Sequence, residues 1–184
     1  MCDGLIVSGH CTDAERDLVE RLRAKDPEAF AWLYDRYAGL LFRIGYSLLG
    51  DTSEAEDLVH DVFLGLPRAL ITFEGRGSFE GWLKRVATRT GLMKLRQARS
   101  RDTRIRRRSW TLPRFERPPD VDTALDLEAA LGEVRPTLRA AFVLREVQGY
   151  SYGEVADLLG ISKGAAKVRV LRARRMLGTL LKGY

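Results

Sequence analysis

Six cationic side chains and no acidic one lie between Ser162 and Arg175: Lys163, Lys167, Arg169, Arg172, Arg174 and Arg175. That density suits a polyanion. The helical wheel sorts the segment further. Ala166, Val170, Ala173 and Leu177 fall in one narrow arc and predict a buried seam. Gly164, Val168, Leu171, Arg172 and Arg175 fall opposite, with Lys167 at the edge. If that outer arc enters a DNA major groove, Val168 and Leu171 meet thymine methyls while Arg172 reads a guanine edge. Lys163, Lys167, Arg169 and Arg174 are placed for phosphates. Ser162 stands where it caps the helix, whose first amides suit a phosphate. A plain amphipathic hairpin with a basic outer face is the competing reading. Turn, cap and charge together favour DNA.

A second constellation is acidic. Asp51, Glu54, Glu56, Asp57 and Asp61 crowd the start of one helical segment, near its favourable dipole end. Alone they read as a solvated face. Interleaved with Leu58, Val62 and Phe63, they also suit docking of a basic helical partner. No catalytic constellation accompanies either group. The histidines are two and scattered, no nucleophile stands beside His60, and no phosphate-binding glycine loop is present. An enzyme is not expected. Cys2, His10 and Cys11 match no structural zinc spacing and lack a fourth ligand, so no metal and no cofactor is expected.

The elements that position these residues read as helices throughout. No period-two alternation appears. The first helix covers about 13–25. Asp26 as N-cap and Pro27 at the first helical position begin a second, which runs towards Gly50 on Phe30, Leu33, Tyr34, Tyr37, Leu41 and Ile44. Ser53 with Glu56 predicts a capping box for the third, which Pro67 ends or kinks. Ser78 caps a long fourth helix with Phe79, Trp82, Leu83, Val86 and Leu95 turned inward. Near Ser100 the pattern gives way to arginines and prolines, including "RIRRRS" and "RPPD". A second helical block follows. Pro136 starts a helix that Gly149 ends, Ser151 and Glu154 form a capping box, and Gly160 turns the chain into the basic helix.

The fold class expected is therefore all-α, with two small helical domains joined by a flexible basic linker. The divisions are a tail at 1–12, a helical bundle at 13–99, a linker at 100–122 and a helix-turn-helix block at 123–184. The net charge of +6 is unevenly spread. Lys94 to Arg117 hold ten basic and two acidic residues, and Leu158 to Tyr184 hold seven basic and none acidic. The remainder is net negative, so the basic blocks point to nucleic acid. No apolar run is of membrane-spanning length, and the N-terminus does not read as a secretory signal. A cytoplasmic protein with no membrane insertion is expected.

"DTSEAEDLVHDVFL" with "FEGRGSFEGWLKRVATRTGLMKLR" resembles region 2 of the extracytoplasmic-function (ECF) sigma factors of bacterial RNA polymerase. "ALGEVRPTLRAAFVLREVQGYSYGEVADLLGISKGAAKVRVLRARRML" resembles region 4 of the same family, in the family's order. The resemblance implies a polymerase-binding face at Glu56, Asp57, Leu58, His60 and Asp61, docking on the clamp helices of the largest subunit. It implies contact with the minus-ten promoter element through the next loop and helix. Opening a duplex without ATP requires trapping an unstacked base, which aromatic walls with basic neighbours suit. Phe73, Arg76 and Phe79 fit that role, and Trp82 reads better as core. Arg85, Arg89, Lys94, Arg96 and Arg99 then supply contacts along the helix. Ser162, Lys163, Lys167, Val168, Arg169, Leu171, Arg172 and Arg175 are expected at the minus-thirty-five element.

Two departures bear on specificity. The family often has Asn at the position of Arg89 and Asp at that of Met93. Its frequent "GTVKSR" reads "GAAKVR" here, so base preference should shift towards methyl contacts at Val168. The linker, with Trp110 and Phe115, suits a nucleic-acid-lined channel as well as a disordered spacer. The function implied is promoter-directed transcription initiation by core RNA polymerase on promoter DNA, with an anti-sigma factor as a further partner by resemblance. A stand-alone helix-turn-helix regulator and a sigma-mimicking interaction protein are the alternatives.

Overall fold

A computed structural model describes residues 12–101 and 122–181, with side chains except at 98–101, 122–126 and 128. The tail residues Cys2, His10 and Cys11 and most of the linker lie outside the described residues. The described residues form helices and no strand: α1 (Asp13–Arg23), α2 (Pro27–Leu49), α3 (Thr52–Ala69), α4 (Phe79–Arg101), α5 (Asp122–Glu133), α6 (Pro136–Phe142), α7 (Tyr152–Leu159) and α8 (Lys163–Leu180).

Local chemistry sets the helix ends. Thr12 and Glu15 form a reciprocal capping box on α1. Asp26 caps α2 through the amides of Glu28 and Ala29, with Pro27 at its start. Arg21 holds the same carboxylate at 2.7 Å, which keeps Asp26 below the usual carboxylate range. The cap of α3 is Asp51, whose side chain accepts from the Glu54 amide at 3.0 Å. This corrects the expected Ser53–Glu56 box. Asp51 is the residue left extended after the turn at Gly50, so its side chain reaches the free amides first. Pro67 sits inside the last turn of α3, and the chain then tightens into a 3₁₀ turn at Leu70–Thr72. Ser78 caps α4 through the Gly81 amide at 3.1 Å.

The N-terminal helices bury one face each. Leu33, Leu41, Leu48, Leu58, Leu66, Phe79 and Leu83 are fully enclosed where α2 meets α3 and α4, and Leu22 where α1 packs on α2. Each such side chain contributes about 1.5–3 kcal/mol. In the C-terminal block, α6 and α7 pack on α8. Ala166, Val170, Ala173 and Leu177 form the buried seam of α8, the arc the helical wheel picks out. Ser151 and Glu154 cap α7 reciprocally, and Gly160, at φ 64, turns the chain between the two helices. Between α6 and α7 the chain widens into a π-type turn at Val143–Val147.

The two blocks pack on each other. α2 touches α5 and α6, and α4 touches α7, so one apolar core runs through both. Arg139 of α6 is the polar centre of this seam, only 3% exposed. Its guanidinium donates to the carbonyls of Leu48 and Leu49 at the end of α2, and to those of Leu131 and Gly132 at the end of α5. Helix ends leave such carbonyls short of partners, although Leu131 also accepts from the Val134 amide at 3.2 Å. Burial pushes Arg139 below its ordinary value, and the four acceptors are what support its charge there. Gly50 makes room for it. A Cβ at that position would run into the Arg139 guanidinium, and its φ of +68 already favours glycine.

Candidate nucleic-acid and partner interfaces

The outward face of α3 is acidic with an apolar centre. Glu56, Asp57, His60 and Asp61 are all exposed. Leu58 is not: it is fully buried, on the opposite side of the helix. It serves the core and does not reach a docked partner in this arrangement, which corrects its expected place in the interface. Leu64 was missed. It is 75% exposed and follows Asp57, His60 and Asp61 at helical spacing. A leucine on a charged stripe was the available signal. Asp61 is engaged already, with its Oδ2 2.7 Å from the Lys94 Nζ of α4.

The loop after α3 does not form an open aromatic cage. Phe73 is 8% exposed and Phe79 is fully buried. Their rings meet edge to face at 5.6 Å, and each packs on Trp82, at 5.2 and 5.5 Å. Three aromatics within ten residues bury their area most fully against one another. Phe73 and Phe79 therefore plug the bundle, and the expectation that they wall a base-binding loop is corrected. The loop is also tied from behind. Arg23 donates to the carbonyls of Leu70 and Phe73, both at 3.0 Å, and the Phe79 amide donates to Glu15 at 2.9 Å.

The expected cations of this surface divide into two sets. Arg76 is largely exposed and pairs with Glu74 at 3.0 Å. Arg85 and Arg89 are exposed one turn apart, in line with exposed Met93, so they form one stripe along α4. Lys94 is turned to Asp61, and Arg96 donates to the Leu158 carbonyl of α7 at 2.7 Å. Arg99 lies in α4, but its side chain is outside the described residues.

The outer face of α8 is arranged as its wheel predicts. Lys163, Lys167, Arg172 and Arg175 are exposed, and Arg169 is half-buried. Val168 and Leu171 remain 47% and 48% exposed and lie three residues apart, so they form a small apolar patch among the cations. Ser162 accepts from the Ala165 amide at 3.1 Å, and its O–H remains able to donate. Tyr152 anchors the rim: Arg145 stands 4.8 Å from its ring centre and Lys167 5.9 Å. Arg174, expected at a phosphate, instead pairs with Glu146 at 2.7 Å, which raises it above its ordinary value.

No group of three or more potential metal-binding side chains occurs among the described residues. Among the same residues, no helix is long and apolar enough to cross a membrane.

Comparison with known proteins gives these surfaces a context. Residues 33–101 match the family described as sigma-70 region 2, and residues 124–177 match sigma-70, region 4. The two matches define the class, a sigma-70-type protein. The ECF RNA polymerase sigma factor SigM of Mycobacterium tuberculosis is 30% identical over 183 residues, covering 100% of this chain and 92% of that protein. The ECF RNA polymerase sigma factor SigE of Mycolicibacterium smegmatis is 33% identical over 157 residues, and the match spans 79% of this chain and 58% of that protein's length. Among solved structures, the sigma factor RpoE in complex with the anti-sigma factor NepR, from Bartonella quintana, aligns with a TM-score of 0.56 at 25% identity, covering 83% of this chain and 96% of that one. The chain belongs to the ECF RNA polymerase sigma factors. Its function is that of the family, directing RNA polymerase to promoters for transcription initiation.

Proposed function

We propose a division of that task among the three surfaces. The outward face of α3, with Glu56, Asp57, His60, Asp61 and Leu64, docks core RNA polymerase at the clamp helices of its largest subunit. Arg76 and the stripe of Arg85 and Arg89 contact the minus-ten element. The outer face of α8 reads the minus-thirty-five element, with Val168 and Leu171 against thymine methyls, Arg172 at a base edge, and Lys163, Lys167, Arg169 and Arg175 nearer the backbone. Ser162 fixes the start of the reading helix and offers its hydroxyl to a phosphate. Duplex opening draws on binding energy, so the chain performs no catalytic step of its own and acts in the cytoplasm.

The observation that carries this reading is the state of α8. Its buried seam is complete, yet Val168 and Leu171 stay half-exposed between arginines. An apolar pair set among cations offers a DNA groove methyl contacts beside charge. An anti-sigma factor is proposed as a further partner, on the precedent of the RpoE complex.

Run-off transcription with purified core polymerase tests the reading. Promoter-dependent product should appear only when this chain is added. A chain that neither binds core nor yields such product is no sigma factor, and tight operator binding without polymerase would make it a stand-alone regulator.

A further inference from the structure

Most cations paired in this fold have an acid close by: Arg21 has Asp26, Lys84 has Glu80, Lys94 has Asp61 and Arg174 has Glu146. One group does not. Arg135, Arg169, Arg172 and Arg175 line a single open cleft of about 500 Å³ between the start of α6 and the middle of α8. Thr137, Leu138 and Met176 complete its walls. None of the four arginines has an acidic partner within 4.0 Å among the described residues.

Arg135 is the member that sequence reasoning did not single out. It precedes Pro136 in extended conformation and is exposed. Its backbone is therefore fixed where α6 begins, while its side chain is free to reach. Packing of α6 on α8 brings it to Arg172, which also belongs to the base-reading face.

We propose that this cleft is a clamp for one strand of the DNA backbone, beside the groove that α8 reads. Arg135 and Arg175 hold successive phosphates, Thr137 offers a neutral hydroxyl between them, and Arg172 links clamp and reading face. Four unpaired guanidinium groups around one cleft repel one another, and a polyanion removes that repulsion. Duplex DNA fits better than an acidic protein for two reasons. The cleft continues directly from a helix face already assigned to duplex DNA, and a groove-seated helix has a phosphate strand at each side. Guanidinium groups also match phosphate oxygens two at a time. The inference rests on the DNA-reading role of α8 and extends it to α6.

The test uses holoenzyme assembled from full-length chain and core polymerase, with duplex probes selected from a randomised promoter library by the wild-type holoenzyme. Arg135→Ala should weaken every selected probe by a similar factor, about three- to tenfold, and lower the slope of log affinity against log salt by roughly one. Arg135→Lys should keep most of the slope. Replacing single phosphates with uncharged methylphosphonates should identify one position that weakens wild type and no longer affects Arg135→Ala. Unchanged affinity and slope in Arg135→Ala overturns the clamp. So does a change in base preference at one position, which would make Arg135 a base reader. Loss of core binding with DNA affinity intact would assign the cleft to an acidic protein surface. If the wild-type holoenzyme selects no sequence, the DNA-reading role of α8 fails and the clamp with it. If Arg172→Ala abolishes selection while Arg135→Ala behaves as wild type, only the clamp fails.

Discussion

The Lys94 Nζ of α4 lies 2.7 Å from the Asp61 Oδ2 of α3, with the lysine side chain only 16% exposed. The two residues belong to different expected surfaces, Lys94 to DNA and Asp61 to polymerase. In this structure they neutralise one another across the seam between the two helices. The pair therefore couples α3, proposed to dock polymerase, to α4, proposed to contact the promoter. A basic group on a docked partner would compete with Lys94 for Asp61 and release the lysine towards DNA.

The pair makes Asp57 the cleaner probe of polymerase docking. Asp57→Lys should sharply reduce core binding and leave the thermal midpoint within a degree or two of wild type, because exposed sites away from the core usually change stability by about 0.5 kcal/mol or less. Asp61→Lys sets two lysines together and should lower stability as well. Leu64→Ala should resemble Asp57→Lys, weak in binding and normal in fold. Binding measured by surface plasmon resonance, beside a urea melt, separates the effects. Core affinity unchanged in Asp57→Lys would reduce the acidic face to solvated surface.

Phe79→Ala should cost about 3–5 kcal/mol, the range for a large aromatic removed from a core. Its ring is fully buried and touches both Phe73 and Trp82. The urea midpoint should fall accordingly, and promoter opening should fail only through the loss of folded protein. Normal stability with lost opening, read by permanganate reactivity of unpaired thymines, would return Phe79 to a base-binding role.

What the sequence discloses here follows from periodicity. Ala166, Val170, Ala173 and Leu177 repeat at helical spacing, so the seam of α8 and its exposed opposite face were legible before any coordinates. Caps were legible where one candidate stood alone, as at Asp26 and Ser151. At the start of α3, Asp51 and Ser53 both qualify, and the turn at Gly50 decides. The faces of Phe73 and Phe79 were not legible, because a loop carries no period to say which way a ring turns. Leu58 was misplaced for another reason. Taking the acidic segment as a unit ignored that Leu58 lies on the buried side with Val62, while Leu64 lies outward. The role of Arg139 was least accessible: two of its acceptors sit about 90 residues away in the chain.

Arg139 predicts a stability effect that its residue type does not suggest. Arg139→Ala removes the side-chain donor from the carbonyls of Leu48, Leu49 and Gly132, while Leu131 keeps the Val134 amide, and a buried acceptor left unpaired costs on the order of 1–3 kcal/mol. The same change loosens the seam between the two helical blocks. A lower urea midpoint and a larger radius of gyration by small-angle scattering should appear together. Arg139→Lys should rescue little, since one ammonium cannot span two helix ends as the planar fork does. A normal melt for Arg139→Ala would mean the carbonyls find water instead.

The exposed apolar pair on α8 predicts how specificity divides. Arg172→Ala should cost about 1–3 kcal/mol on the preferred minus-thirty-five sequence and much less on others, if the guanidinium makes a paired contact with a guanine edge. Val168→Ser should act differently. It replaces a methyl contact with a hydroxyl, so overall affinity should change little while preference for thymine at one position relaxes. Binding of holoenzyme to a set of single-base variants resolves the two patterns. An equal loss on every sequence for Arg172→Ala would move it to the backbone, beside Lys163 and Lys167. Unaltered preference in Val168→Ser would leave its 47% exposure without a role in reading.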